Sequence, residues 1–209
     1  MSGTDVETRG IYIDIKGVRD RPTVVIGISV DDLFEQVVTD FDFGDAALAK
    51  DLRVNRFEDE VRGLLARCAR ESRRVFAFSR RFLDTVWSHT CLGGALAAVH
   101  EDAQELALLW HVKSERAGTS GWSLADFLAD MGQPQPRHLG TRHTTSRLRY
   151  VEQQLNRHGA YDAISGGAKA KWTKVLQQNE SDTRGTRELV LYAARELALA
   201  DSAASVNCK

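Results

Sequence analysis

The stretch "GIYIDIKG", Gly10 to Gly17, decides the reading of this chain. Ile11, Ile13 and Ile15 alternate with Tyr12, Asp14 and Lys16, the period-2 pattern of a strand with one buried face. On that strand Asp14 and Lys16 point the same way, roughly 7 Å apart at about 3.3 Å of rise per residue. The acid is either a metal ligand awaiting a second carboxylate or half of an ordinary ion pair.

Two further strand-like runs follow, Thr23–Val30 ("TVVIGISV") and Leu33–Phe41 ("LFEQVVTDF"). "GVRDRP" and "DD" separate the three, short connections with turn chemistry that predict an antiparallel meander. Phe57, Val61, Leu64, Leu65 and Cys68 fall at helical spacing and predict a helix over Phe57–Arg70. "RRVFAFS", Arg73 to Ser79, predicts a fourth strand. Strand, strand, strand, helix, strand is an α/β opening.

Beyond Ser79 the pattern is almost wholly helical, with Gly93-Gly94 as a break or close-packing point. "SLADFLADMG" predicts a short helix with Ser123 as N-cap, Asp126 three residues on and Gly132 at its end. "QPQPRHLGTRHTTS" reads as a loop and "RLRYVEQQLNRHG" as a helix ending in glycine. The last stretch, "AKAKWTKVLQQNESDTRGTRELVLYAARELALA", predicts two helices meeting near Asn179, which would cap the second with Asp182 in its first turn.

At 209 residues, 43% hydrophobic and 27% charged, the chain suits one domain with a buried core. Residues 1–9 and 201–209 read as flexible tails. No apolar run reaches the 18 or so residues of a membrane span, and the polar start lacks a secretory pattern, so the cytoplasm is the default expectation. Cys68, Cys91 and Cys208 are odd in number and widely spaced, which argues against a disulfide framework or a zinc site. Cys68 and Cys91 read as core thiols. The net charge of −1 conceals a basic segment: eight Lys or Arg between Arg137 and Lys174 face two acids, Glu152 and Asp162. Such a segment fits either an anionic partner, nucleic acid first, or a solvated helix surface.

"YIDIKG", "FAFS", "SLADFLADMG" and "KWTKVLQQNESDTRGTRELV", in this order, together resemble the ribonuclease H-like superfamily, and more narrowly its DEDD-type 3′–5′ exonucleases. The resemblance spans roughly Gly10 to Leu199. It implies an α/β, ribonuclease H-like fold: a mixed sheet with an antiparallel three-strand meander, flanking helices and a helical C-terminal half, forming a single domain over 1–209. It also implies a site in which acids from separate elements hold two Mg²⁺ or Mn²⁺ ions for phosphodiester hydrolysis. Asp14 matches the first acid, Asp84 in "RRFLDTV" is the candidate for the middle one, and Asp182 in "NESD" matches the last.

Two departures from the family pattern point the same way. Where it has a glutamate, this chain has Lys16. A unit positive charge about 5 Å from a divalent ion costs roughly 6–7 kcal/mol at an effective dielectric near 20. The ammonium could instead sit among Asp14, Asp84 and Asp182 as a surrogate cation, or swing out to water. The tyrosine or histidine that orients the attacking water in the family is replaced by Gln178 or Gln177, neither of which accepts a proton near neutral pH. His143 and His158 are the nearby substitutes.

Three readings follow. The first is a nucleic-acid-binding domain with hydrolysis weakened or lost, and Arg142, Arg147, Arg149, Lys169, Lys171 and Lys174 as phosphate contacts. Trp122 or Trp172 would be its stacking face. The second is an active Mg²⁺- or Mn²⁺-dependent 3′–5′ exonuclease. The third is a protein-interaction module using Leu106, Leu109 and Trp110. All three are expected to act away from the membrane.

Overall fold

The computed structural model describes residues 9–18, 21–114, 122–139 and 143–206. The opening stretch forms β1 (Gly10–Lys16), followed by β2 (Val25–Val30) and β3 (Leu33–Val38). A two-residue connection, with Asp31 at φ 55°, turns β2 into β3. The three are antiparallel neighbours, Ile13 opposite Ile28 and Gly27 opposite Gln36. Parallel additions extend the sheet on both sides: β4 (Arg53–Val54) beside β3, β5 (Arg74–Ala77) beside β1, and β6 (His100–Asp102) beside β5. The order is β4-β3-β2-β1-β5-β6, a six-stranded mixed sheet in an α/β protein.

The helices are α1 (Gly44–Leu48), α2 (Phe57–Glu71), α3 (Arg81–His89), α4 (Gly93–Ala97), α5 (Ala103–Lys113), α6 (Leu124–Asp130), α7 (Thr144–His158) and α8 (Gly166–Val206). Single 3₁₀ turns lie at Phe41–Phe43, Arg137–Leu139 and Tyr161–Ala163. No helix among the described residues is long and apolar enough to cross a membrane.

Both faces of β1 are covered, not one. Ile11, Ile13 and Ile15 meet Phe57, Val61 and Leu64 of α2 and Phe82, Leu83 and Val86 of α3 in one core. On the opposite face Tyr12 stacks on Phe76 at 5.6 Å and packs with Val190 of α8. Tyr12 therefore belongs to a second core. Asp14 and Lys16, which follow it on that face, are partly buried beneath α8 rather than in water.

The C-terminal half departs from the expected helix pair. α8 runs unbroken for 41 residues. Its buried positions Ala168, Trp172, Val175, Asn179, Thr183, Thr186, Val190 and Ala193 recur three or four apart, one continuous face. The ends of that face are apolar and its middle is polar. Gly27 of β2 permits close crossing there: a Cβ at this position would stand 2.4 Å from Thr183 Oγ1 and 2.6 Å from Asn179 Oδ1. Asn179 is fully buried in mid-helix and caps nothing.

Other expectations are met or amended locally. Ser123 and Asp126 form a reciprocal capping box at the start of α6, and Gly132 beyond its end has φ 79°. Gly159 ends α7 in the left-handed conformation. The loop reading of "QPQPRHLGTRHTTS" gives way, in its described part, to a 3₁₀ turn with Leu139 buried. β6 lies where only helix was expected. Cys68 is buried as expected, whereas Cys91 is exposed between α3 and α4. Residues 201–206 continue α8 rather than forming a tail, while Cys208 lies outside the described residues.

Candidate functional site

Asp14 and Lys16 from β1 meet Asp182 from α8. The Lys16 ammonium lies 2.9 Å from Asp14 Oδ2 and donates a hydrogen bond to Asp182 Oδ2. The three side chains are 20%, 11% and 14% exposed, so the ammonium is largely shielded from water between its carboxylates. Asn179 Nδ2 donates to both the carboxylate of Asp14 (2.8 Å) and its main-chain carbonyl (3.0 Å). Gln36 in turn donates to Asn179 Oδ1 at 2.8 Å and to the Leu176 carbonyl at 2.9 Å. On the outer side Gln135 Nε2 donates to Asp182 Oδ1 at 2.6 Å. Each carboxylate is thus held by the ammonium and by one amide.

The period-2 geometry of β1 puts Asp14 and Lys16 on one face. The continuous turn of α8 brings Asn179 and Asp182 over it, three residues and one helical turn apart. Burial pushes the Asp14 carboxyl up to about 6; the Lys16 ammonium opposes that rise and the Asp182 charge adds to it. For Lys16, burial works to lower the pKa, but Asp14 and Asp182 outweigh it and the group titrates above the ordinary lysine value.

Asp84 is not part of this cluster. It sits on the exposed side of α3, with Arg80 3.9 Å away, and lines a separate shallow hollow. A metal ion implied by the family resemblance therefore finds a poor donor set. Two carboxylates face each other with an ammonium already between them, and no group of three or more His, Cys, Asp or Glu placed to hold a metal occurs among the described residues. The residues present do not fit a two-metal centre.

The cluster floors an open cleft of about 730 Å³. Its walls include Phe78 and Ser79 after β5, Arg81 and Phe82 of α3, Trp122 and Ser123 before α6, and Gln135 and Gln178. Ser79 holds a left-handed backbone, φ 69°, and its N–H donates to Asp102 at 3.1 Å. Gln178 is buried and accepts from Arg147 at 3.2 Å and from Thr144 at 3.3 Å, while Gln177 is exposed. His143 and His158 lie at opposite ends of α7 and neither lines the cleft.

The basic candidates are dispersed. Arg147 is committed inward, to Gln178 and to the Leu139 carbonyl. Lys169 donates to the Asp162 carbonyl at 2.9 Å and lies over the Tyr161 ring, and Lys171 lies over Tyr150. Arg149 and Lys174 are exposed, and Arg142 falls outside the described residues. Trp172 is a core anchor, stacked on Phe43 and donating its indole N–H to the Ala46 carbonyl. Trp122 is the exposed aromatic residue among those lining the cleft, at 48%, beside the buried Phe82 and the partly buried Phe78. On α5 Trp110 is buried and Leu109 half exposed, so they do not form one apolar patch. Sequence reasoning missed Asn179, Gln36, Gln135 and Arg81. The first had a readable signal, its place on the buried stripe of α8.

Comparisons of the chain with protein-family models, with curated proteins and with solved structures return no significant match.

Proposed function

We propose that this protein is a ribonuclease H-like domain of the DEDD exonuclease type that binds nucleic acid and has weakened or lost the metal-dependent hydrolysis of that type. The observation that carries the reading is the Lys16 ammonium between Asp14 and Asp182. The resemblance puts a carboxylate at position 16 and a divalent ion beside it; an ammonium there neutralises part of the acid charge without activating a water. The mixed sheet with its antiparallel meander, and the meeting of Asp14 with Asp182 across β1 and α8, support the scaffold. The amides at Gln177 and Gln178 supply no base.

The open cleft, with an aromatic wall and a cation, supports nucleic acid over a flat protein partner. The exposed Arg149 and Lys174 would add phosphate attraction at a distance. Fluorescence anisotropy with labelled single-stranded and hairpin oligonucleotides tests the binding, and a gel assay with Mg²⁺ or Mn²⁺ tests the hydrolysis. Binding should weaken steeply with salt, and trimming by the natural protein should be weak or absent with either metal. Salt-independent binding, or brisk trimming by the natural protein, overturns the proposal.

A further inference from the structure

Two cations line the cleft, and they differ in availability. Lys16 is locked between two carboxylates, whereas Arg81 is exposed and its guanidinium has no ion pair or hydrogen bond among the described residues, its main-chain carbonyl alone accepting from Thr85. Arg81 also borders two further hollows, one beside Asp84 and one beside Gly17 and Thr144, so this residue is shared by all three. The wall of the same cleft carries the half-exposed indole of Trp122. The same cleft is lined by two amides, each half used. Gln178 accepts from Thr144 and Arg147 through its carbonyl, leaving its N–H₂ for a ligand. Gln135 spends its N–H₂ on Asp182 and leaves its carbonyl. A cation, a ring face, one donor and one acceptor are what a nucleotide unit engages: phosphate, base plane and polar edges.

We infer that Arg81 binds a backbone phosphate and Trp122 stacks a base of a single strand lying in this cleft, and that this binding needs no metal ion. The inference rests on the nucleic-acid reading above and locates its contact. The Asp14, Lys16 and Asp182 cluster carries two acids against one ammonium, so an anionic phosphate is turned away from it and toward Arg81. A metal bridge between acids and phosphate has no part in such a complex.

The test is anisotropy of a short labelled oligothymidylate, and of its oligouridylate counterpart, with the full chain in EDTA and in Mg²⁺. Affinity should agree within about twofold between the two buffers. Arg81→Ala should weaken it about tenfold and flatten the salt slope by about 0.7, the share of one phosphate contact on a single strand. Trp122→Ala should weaken it at least about fivefold with the salt slope kept, and Trp122→Phe should retain most of the affinity. Arg62→Ala, on α2 away from the cleft and paired with Glu58, should leave it unchanged. Circular dichroism of each variant reports its folding. Binding that requires Mg²⁺, or that survives both cleft substitutions in folded protein, overturns the inference while leaving nucleic-acid binding intact. No binding by the natural chain at low salt overturns both.

Discussion

Replacing Lys16 by methionine keeps the volume of the side chain and removes its charge. At an effective dielectric near 20, an ammonium 2.9 Å from the Asp14 carboxylate gains about 6 kcal/mol of attraction, and the Asp182 contact adds a similar amount. Most of that sum is cancelled by taking three charges out of water. What remains measurable is the penalty of leaving two facing carboxylates without their cation, about 3–5 kcal/mol for a broken buried pair. With a urea m-value of about 2–3 kcal/mol/M, Lys16→Met should lower the unfolding midpoint by roughly 1–2.5 M at neutral pH. Adding Asp182→Asn should recover about half of the loss, because the remaining acid then has only neutral neighbours. Circular dichroism and tryptophan fluorescence give both midpoints. A shift below about 0.3 M for Lys16→Met, or additive losses in the double variant, would refute the idea that the ammonium is the centre of the cluster.

Three further outcomes are expected. Asp14 titrates near 6 in the folded chain against an ordinary value of 3.8, so the folded state binds the extra proton. Its contribution to stability is then fullest below about pH 4 and is lost as pH rises through about 6, whereas that of Lys16, raised above its ordinary value, persists across this window. Relative to Asp14→Asn, the natural protein should lose about 2–3 kcal/mol between those limits in urea titrations, and a rising difference would contradict the burial argument. Gly27→Ala should cost about 1–3 kcal/mol by forcing α8 off the sheet, with part regained in Gly27→Ala/Thr183→Ala; an unchanged melting curve would contradict the close crossing. Asn179→Ala should cost about 1–3 kcal/mol by removing the amide that bonds Asp14 and one of the two acceptors of the Gln36 amide, and hydrogen exchange at the β1–β2 pairing should rise with it.

Local pattern carried the fold as far as local physics reached. The alternation at 11–16, the short turns and the spacing from Phe57 to Cys68 each commit a segment whatever surrounds it, and the structure keeps them. The two-sided burial of β1 could not be read there, because Tyr12, Asp14 and Lys16 look like a solvent face until α8 covers them. Asn179 looked like a cap because asparagine competes with helical hydrogen bonding. In the fold its amide is spent on Asp14 and Gln36, and the helix continues. β6 is three residues of "HED", too short and polar to carry a strand period, and it exists by pairing with β5. The site was legible where chemistry was on one strand, as with Asp14 and Lys16. Asp182 joined them through family likeness, while Asp84, chosen by the same likeness, lies on the outer side of its helix. Gln135 and Arg81 became visible only when distant segments met at one cleft.

The Lys16 ammonium is held where the resemblance would put a divalent ion. Anomalous diffraction from crystals of the natural protein grown or soaked in Mn²⁺ tests this most directly. The expected map shows the Lys16 side chain continuous between Asp14 and Asp182 with no anomalous peak beside it; a strong manganese peak touching both carboxylates, with Lys16 turned away, would contradict it.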